Sequence, residues 1–312
     1  MNQSTVPKLL YCERSEIKIL QKNRFIPATI LTIVAAIWGV GFIAMKTTLA
    51  RIDVYSFLAW RFSIATLLLI IFRPSALKKI NSKFLFKGLL VGLFLGSGYI
   101  FQSLGLTKTT VGKTGFITGL YVVFTPLVAY VLLRTKVSRW DWFSTLLAAL
   151  GLGLLSFNGI SVGVGETLVL ISAFLFAIHI IALGHWASDM DIYALTITQL
   201  GACALLTSGA ALINGFRTPS DKGVWSAVIF TAIFATAIAF IIQTWAQSFM
   251  PATTVAVILT LESVFAAIFG VIVLNESLTF RIGTGGLLVL IAMYTIIIMD
   301  GRKKKFEVTY HD

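Results

Sequence analysis

Long runs of hydrophobic residues alternate along the chain with short polar breaks. Most runs have the 17 to 25 residues that a helix needs to cross roughly 30 Å of hydrocarbon. Helices are favoured over barrel strands, because a strand of a barrel alternates apolar and polar residues. Ten membrane spans are predicted: Pro27–Met45, Tyr55–Phe72, Phe86–Leu106, Gly115–Leu133, Trp140–Phe157, Thr167–Leu183, Tyr193–Ile213, Val224–Trp245, Ala252–Leu274 and Ile282–Met299.

The low content of charged residues places these runs in a membrane. Of the 312 residues, 57% are hydrophobic and only 12% are charged, whereas a soluble domain carries roughly twice that charge. The chain is therefore expected to be an integral membrane protein. Its net charge of +12 does not point to nucleic acid, because the basic residues cluster at span ends, where membrane orientation accounts for them. Membrane lipid is the partner expected on these grounds, and no nucleic acid.

Basic residues also predict the orientation of the spans. With the N-terminus inside, the cytoplasmic segments would hold 17 lysines and arginines and the outer segments 6. This bias favours a multi-pass protein of the cytoplasmic membrane with both termini in the cytoplasm. Residues 1–26 would form a cytoplasmic tail, without the apolar core of a cleaved signal peptide. Residues 300–312 would form a basic cytoplasmic tail.

The two halves of the sequence resemble each other. A shift of 138 residues aligns 38–55 with 176–193, and a shift of 141 residues aligns 98–127 with 239–268. Apolar matches are common between membrane helices, so the scarce polar matches carry the argument. Asp53 meets Asp191 and Gln102 meets Gln243. An internal repeat follows.

Each half would contain five spans, with residues 27–157 in the first repeat and residues 167–299 in the second. Five is an odd number, so the second copy must be inverted relative to the first. The predicted fold is therefore an all-α integral membrane protein with ten transmembrane helices arranged as two inverted five-helix repeats. This plan is typical of secondary transporters, whose solute site lies near the membrane midplane between the repeats.

Four segments carry a resemblance to a known family. They read WGVGFIAMK at Trp38–Lys46, RFSIATLLL at Arg61–Leu69, GFITGLYVVFTPL at Gly115–Leu127 and QTWAQSFMPATTVAVILTLESVFAAIFGVIVLNESL at Gln243–Leu278. In their order and spacing the chain resembles the ten-helix EamA branch of the drug/metabolite transporter superfamily. The resemblance implies two five-helix repeats, cytoplasmic termini and alternating access for small organic molecules, often exported. The family usually has a proline after Glu262, where this chain has Ser263, so a straighter helix is expected there.

One face of the predicted fourth span carries hydroxyl groups. Thr114, Thr118, Tyr121 and Thr125 follow helical spacing and form one stripe. Such a stripe suits the wall of a cavity, although each threonine could equally bond to its own helix backbone. The repeat places Glu262 at the position that corresponds to Tyr121.

Glu262 lies near the predicted midplane, where a charge costs about 3 kcal/mol. Three roles are open to it: a protonatable coupling group, a partner for a cationic solute, or a neutral structural hydrogen bonder. Arg61 lies within the second span and could form an ion pair with Glu262. The alternative for Arg61 is to extend toward the interface or to bind backbone carbonyls.

The remaining candidates are polar or aromatic residues on neighbouring spans. His179 has no ligand-like neighbours in sequence, so no metal site and no cofactor are predicted. The candidate residues of the central cavity are Trp38, Phe42, Gln102, Thr118, Tyr121, Thr125, His179, Gln243, Gln247 and Glu262.

The leading functional hypothesis is a secondary transporter working by alternating access. It would move small organic metabolites, such as amino acids or other amphipathic compounds, across the cytoplasmic membrane, with export as the expected direction and protons as a candidate coupling ion. The chain lacks the GxxxxGK[ST] pattern of a primary pump. A polytopic membrane enzyme and a lipid-translocating protein are the alternatives. Because no HExxH-like cluster is present, we expect no enzyme activity. The oligomeric state is left open.

Overall fold

The computed structural model describes residues 25–156, 163–274 and 279–309, and this part of the chain is helical almost throughout, with no β-strand. Of the two predicted tails, residues 1–24 and 310–312 lie outside the described part. The α-helices are α1 Phe25–Thr48, α2 Val54–Phe72, α3 Ser82–Lys108, α4 Val111–Gly119, α5 Tyr121–Leu133, α6 Arg139–Ser156, α7 Val164–Trp186, α8 Ile192–Asn214, α9 Lys222–Ala232, α10 Ala239–Gln247, α11 Ala252–Leu259, α12 Leu261–Leu274 and α13 Phe280–Thr309.

Nine helical stretches of the described residues are long and apolar enough to cross a membrane. They correspond to nine of the ten predicted spans. The remaining prediction coincides with α6, an 18-residue helix that begins with Arg139 and carries Asp141 in its first turn. These charges make α6 less apolar than the others, but it packs along the length of α13. The predicted all-α membrane fold is therefore confirmed.

The helices of the two halves pack mainly against each other. The most extensive contacts join α3 with α7 and α8, α2 with α8, α1 with α12, and α6 with α13. Each of these pairs takes one helix from the first half and one from the second. The halves therefore form a single core, and a cavity between them is enclosed by both.

Two aspartates that the repeat aligns both begin helices. The carboxylate of Asp53 accepts a hydrogen bond of 2.9 Å from Ser56 N–H at the start of α2. Asp191 accepts one of 3.0 Å from Ala194 N–H at the start of α8. A capping carboxylate satisfies one of the free N–H groups of the first helical turn. The match between these aspartates therefore has a structural cause.

Glycines on α3 let that helix approach α8 closely. A methyl group added at Gly88 would stand 2.0 Å from the hydroxyl oxygen of Thr198, and one added at Gly92 would stand 2.2 Å from the carbonyl oxygen of Gln199. Small residues at such contacts are a common device of membrane helices, because they let the backbones pack closely.

The fourth span of each repeat is broken rather than continuous. The break between α4 and α5 falls at Leu120, and the break between α11 and α12 falls at Thr260. At both places the backbone bonds shorten to three-residue spacing: Leu120 N–H donates to Ile117 and Ser263 N–H donates to Thr260. The straighter helix expected beside Ser263 is therefore not found. The breaks lie one residue before Tyr121 and two residues before Glu262, both of the predicted cavity.

A π-helical segment, Ile233–Ile238, joins α9 to α10 within the predicted eighth span. Such a segment widens the backbone hydrogen-bond spacing and is frequent at functional sites. Here the carbonyl of Ala235 accepts a bond of 2.9 Å from the Trp38 indole N–H. It also accepts one of 3.2 Å from Nη2 of Arg61. The segment thus ties both side chains to the second half.

Candidate functional site

A cavity lies between the two halves and encloses about 590 Å³ of empty space, including the space at its mouth. Fourteen of its lining residues form seven pairs that the repeat relates, by the same shifts of 138 and 141 residues. The pairs are Trp38 with Phe176, Gly41 with His179, Phe42 with Ile180, Tyr99 with Phe240, Gln102 with Gln243, Thr118 with Leu259, and Tyr121 with Glu262. The cavity therefore lies on the pseudo-symmetry element of the fold.

Four aromatic rings form two equivalent contacts in the cavity wall. Trp38 and Phe240 have ring centroids 5.7 Å apart. Their counterparts in the other repeat, Phe176 and Tyr99, have centroids 5.2 Å apart in an edge-to-face arrangement. Aromatic walls of this kind suit a solute with an apolar body.

Arg61 is buried in the cavity wall and engaged by the second half. Its Nε donates a hydrogen bond of 2.6 Å to the Thr236 hydroxyl, and its guanidinium lies 4.7 Å from the ring centroid of Tyr99. With the Ala235 carbonyl, these contacts hold the guanidinium in place. Of the two roles open to Arg61, the ion pair with Glu262 is not formed within the described residues, and the alternative, a bond to a backbone carbonyl, is found. The reason is that the π-helical segment supplies Arg61 with nearer oxygen acceptors.

Glu262 faces the same cavity and is only 4% exposed. Its Oε1 atom is buried and has no hydrogen-bond partner among the described residues. The hydroxyl oxygen of Tyr121, its counterpart in the first repeat, is also buried, and it interacts with the Glu262 carboxyl without meeting hydrogen-bond geometry. Buried polar groups are normally hydrogen-bonded. Two unpartnered polar atoms beside an empty cavity therefore leave hydrogen-bonding capacity for a solute.

Three amide and imidazole side chains line the cavity with well-defined partners. Gln102 Nε2 donates to the Thr118 hydroxyl at 3.1 Å. Gln243 Nε2 donates to Gln247 at 3.0 Å, while its Oε1 is buried without a partner. His179 Nε2 lies 3.0 Å from the amide oxygen of Gln199. Within the described residues, no group of three His, Cys, Asp or Glu could hold a metal ion.

Two residues of the predicted cavity do not line it. The hydroxyl of Thr125 donates to the Tyr121 carbonyl at 2.7 Å, and so satisfies its own helix rather than a cavity. Gln247 donates from Nε2 to the Ile180 carbonyl at 2.6 Å. It lies behind Gln243 and fixes the orientation of that side chain.

Several lining residues were not predicted, including Tyr99, Phe176, Ile180 and Phe240. The repeat contained the signal that would have found two of them. Phe176 is the counterpart of the predicted Trp38, and Ile180 is the counterpart of the predicted Phe42. Tyr99 and Phe240 are counterparts of each other, and they lie about one helical turn before the two aligned glutamines.

Polar contacts join the two halves beyond the end of the cavity that Gln102 and Thr118 form. Lys46 Nζ donates to the carbonyl of Thr109 at 2.9 Å. The carboxylate of Glu166 on α7 accepts bonds of 2.8 Å from the Thr109 hydroxyl and 3.1 Å from Lys113 Nζ. We call Lys46, Thr109, Lys113 and Glu166 the polar latch. It connects α1, α3 and α4 of the first half to α7 of the second.

The fold and the cavity define a class of protein: a multi-pass helical membrane protein with an internal repeat and a central cavity between its halves. The model of the EamA-like transporter family matches residues 26–157 and 163–298. The chain therefore belongs to the EamA-like transporter family, and the resemblance inferred from its four motifs is confirmed. The two matched segments correspond to the two halves, so the internal repeat is also confirmed.

Similar proteins agree with this assignment. A protein of Archaeoglobus fulgidus named an uncharacterized transporter is 33% identical over 267 residues, which cover 85% of this chain and 84% of that protein. A second protein of this organism with the same name is 24% identical over 274 residues, covering 85% and 95%. A crystal structure of a protein with 15% identity has a TM-score of 0.73 and covers 88% and 98%. At that identity the likeness concerns the fold alone.

Proposed function

We propose that this protein is a secondary transporter that moves small amphipathic metabolites, with amino acids as the first candidates, by alternating access. It works in the cytoplasmic membrane with both termini in the cytoplasm, and it exports its solute. The observation that carries the proposal is the cavity between the halves, lined by seven repeat-related pairs. A site on the symmetry element of an inverted repeat can be exposed to either side of the membrane by rocking one half against the other.

The chemistry of the wall supports an amphipathic solute that carries charge. Arg61 and Glu262 line one cavity without pairing with each other, and four aromatic rings lie in the same wall. A solute with a carboxylate, an ammonium group and an apolar side chain matches all three features. Amino acids meet this description.

Glu262 is the group through which protons would couple to transport. Its Oε1 has no hydrogen-bond partner among the residues that the structure describes, so a proton and a cationic solute group would compete for the same carboxyl. Glu262→Gln keeps the shape of the side chain but cannot release a proton. This variant should exchange solute without responding to an imposed pH gradient.

Counterflow in liposomes tests the proposal. Purified full-length protein would be reconstituted with a panel of unlabelled amino acids and related metabolites inside, and uptake of each labelled compound would be followed with and without a pH gradient. We expect saturable counterflow of one class of solute. Glu262→Gln would separate exchange from pH-driven transport, and unchanged pH-driven transport in that variant would contradict the coupling role.

Gly209→Leu supplies a matched control for reconstitution, because Gly209 lies outside the cavity wall and a Cβ added there meets nothing within 4 Å. No counterflow of any compound, from protein that is folded and oriented, would count against the carrier. Movement of labelled phospholipid between the leaflets in the same vesicles would then favour the lipid-translocating alternative.

A further inference from the structure

A chain of hydrogen bonds leads from the cavity into the interface between α7, α8 and α10. His179 Nε2 lies 3.0 Å from Oε1 of Gln199. Gln199 Nε2 donates to the Thr244 hydroxyl at 3.1 Å. The hydroxyl oxygens of Thr244 and Thr196 are 3.1 Å apart, and Thr196 lies 2.7 Å from the Ile192 carbonyl.

The direction of these bonds follows from the end of the chain. A backbone carbonyl can only accept, and a hydroxyl has one hydrogen to give. The short bond to the Ile192 carbonyl takes the hydrogen of Thr196, so Thr244 donates to Thr196. The Thr244 oxygen then accepts from Nε2 of Gln199, and Oε1 of Gln199 faces His179. His179 must therefore carry its hydrogen on Nε2, which leaves Nδ1 as an acceptor.

A second chain fixes the amide of Gln243 in the same way. The Ile180 carbonyl accepts from Gln247 Nε2 at 2.6 Å, so the amide oxygen of Gln247 faces Gln243. Gln243 donates to that oxygen from Nε2 at 3.0 Å. Its own amide oxygen is left buried without a partner. Backbone carbonyls thus orient two side chains of the wall so that each has an acceptor atom left over.

Glu262, whose carboxyl interacts with Tyr121, adds a third acceptor to the same cavity. Its buried Oε1 has no partner among the described residues, and no hydrogen bond to His179 Nδ1 is present in that part of the chain. The three residues line one cavity. Arg61, the cation of this cavity, is held on Thr236 and Ala235 instead.

We propose that His179 Nδ1, Gln243 Oε1 and Glu262 Oε1 form an acceptor site for a primary ammonium group, with His179 as a specificity-determining residue. A primary ammonium group has three N–H donors, one for each acceptor. N-methylation removes these donors one at a time while the positive charge remains. This inference rests on the proposed function, because the site lies in the cavity of the proposed carrier.

Binding of a methylated series tests the site without requiring transport. The probes are 2-phenylethylammonium and its N-methyl, N,N-dimethyl and N,N,N-trimethyl derivatives, titrated against the full-length protein in nanodiscs by calorimetry. Since hydrogen bonds to charged groups are the stronger kind, we expect affinity to fall with each methyl group, and by about tenfold or more over the series. Equal or tighter binding of the trimethyl compound would overturn the site and assign the cation to the aromatic walls. The absence of binding by any of the four probes would also overturn the site.

A pair of substitutions separates recognition from structure at His179. His179→Asn places an oxygen acceptor near the Nδ1 position but gives up the contact with Gln199. His179→Gln keeps an N–H donor toward Gln199 but loses the acceptor. We expect His179→Asn to bind 2-phenylethylammonium within about threefold of the unmodified protein, and His179→Gln to lose about tenfold. The reverse order would show that the chain to Gln199 matters only for structure, and would overturn the proposal.

The nitrogen chemical shifts of labelled His179 give a direct check on the acceptor. A protonated Nε2 and an unprotonated Nδ1 are expected, and the opposite tautomer would overturn the inference. Failure of this site and failure of the carrier are distinguishable. Counterflow with no preference for N–H donors would remove only the site, whereas selective ammonium binding without counterflow would remove only the carrier.

Discussion

Two glycines of α1, Gly39 and Gly41, flank Val40 and face different surroundings. A Cβ at Gly39 would stand 2.8 Å from the backbone nitrogen of Ala266 and 2.8 Å from the carbonyl oxygen of Glu262. A Cβ at Gly41 would meet nothing within 4 Å, because Gly41 lines the cavity. The first glycine permits the contact between α1 and α12. The second keeps space open for a solute.

Gly41→Leu should therefore block transport without unfolding the protein. The added side chain enters empty space, and leucine favours helix more than glycine does, so thermal stability in detergent should be unchanged or slightly higher. Counterflow should fall about tenfold or more, which corresponds to roughly 1.4 kcal/mol of lost binding.

Two further variants serve as controls for this prediction. Gly209→Leu introduces the same side chain outside the cavity wall and should transport normally. Gly39→Ala should lower stability by about 1–3 kcal/mol, because the backbone of α12 must shift to admit the methyl group. Normal counterflow in Gly41→Leu would mean that solute does not pass through this cavity.

At the residue scale, the sequence located most of the cavity wall but not its hydrogen bonding. Tyr121, Glu262 and the paired glutamines stand out because polar residues are scarce in membrane spans. The hydrogen-bond partners of Arg61 could not be predicted from the sequence, since they depend on which backbone carbonyl of the π-helical segment is available as an acceptor. Thr125 was misplaced because a stripe of hydroxyls does not reveal which of them bond to their own helix.

At the scale of helices, the polar latch is the contact that distinguishes the two ends of the molecule. The counterpart of Lys46 at the other end is Gly184, and the counterpart of Lys113 is Thr254. Neither can form an ion pair. At one end of the cavity the latch therefore holds the halves by charge-assisted bonds, which are stronger than neutral ones, whereas at the other end the halves are linked by the more exposed Lys79–Asp191 pair.

Glu166→Gln should weaken the latch and open that end of the cavity. The variant loses the charge-assisted bond from Lys113 Nζ, which is the stronger kind of hydrogen bond, so the equilibrium should shift several-fold toward the open form. The measurement uses Gly41→Cys as a reporter in a chain without Cys12 and Cys203. In the proposed orientation, a thiol reagent that cannot cross the membrane should label this reporter several-fold faster from the outer side.

The matched control for this experiment is Asp189→Asn. Asp189 lies in the connection between α7 and α8, where its carboxylate accepts a bond from the neighbouring Ser188. This substitution also removes one negative charge, but it leaves the latch intact, so the labelling rate should not change. An equal rate with and without Glu166→Gln would show that the latch does not hold the cavity closed.

Helix breaks and the π-helical segment were beyond the reach of the hydrophobic pattern. Hydropathy reports which residues meet lipid, and the apolar runs continue past Leu120 and past Thr260 to the ends of α5 and α12. The segment Ile233–Ile238 contains no proline or glycine to mark it. Contacts between helices lie beside these irregularities, such as the bond of 3.0 Å that the Ser263 hydroxyl donates to the Gly115 carbonyl.

At the scale of the whole molecule, ion pairs outside the spans link the halves at both membrane faces. Arg51 pairs with Asp221, and Lys79 pairs with Asp191 at 2.6 Å. Hydrogen bonds from Val224 N–H and from Arg51 lower the pKa of Asp221. Partial burial acts to raise the pKa of Asp191, but the bonds from Lys79 and Ala194 outweigh it, so that pKa is also lowered.

A lowered pKa in the folded state means that folding favours the ionised carboxylate. The stabilisation is present above the ordinary pKa of aspartate, near 4, and is lost as the pH falls through the lower folded value. The midpoint of thermal unfolding in detergent should therefore stay level above about pH 5 and decline below about pH 4. Replacing both Asp191 and Asp221 by asparagine should lower the midpoint at neutral pH and flatten part of this decline.

The contribution of the Lys79–Asp191 pair should be about 0.2–1 kcal/mol, as is usual for a pair with one exposed partner. Lys79→Met offers an independent check, because it removes the cation and leaves the carboxylate. In that variant, the part of the fall in the unfolding midpoint at acid pH that comes from Asp191 should become smaller. An acid decline of the same size in the double asparagine variant and in the unmodified protein would refute the assignment to these two groups.

The whole-molecule plan was the part most readable from the sequence. The number of spans follows from hydropathy, and the internal repeat follows from two constant shifts along the sequence. The class of protein follows from these two together with the charge at the ends of the spans. These signals persist because lipid contact and inverted symmetry constrain many residues at once. The packing of the halves into one core was not readable, since it depends on which helix faces fit together.

The pairing of the cavity wall has a consequence for the energetics of the empty carrier. If the halves exchange conformations during transport, then each pair exchanges surroundings, and like pairs such as Gln102 with Gln243 contribute equally on both sides of the membrane. Unlike pairs, such as Gly41 with His179, give the two sides different affinities. In a closed thermodynamic cycle without an external driving force, the ratio of the two affinities equals the ratio of the orientation equilibria of the loaded and the unloaded protein. The side chains that select the solute therefore also set how far binding shifts the orientation of the carrier.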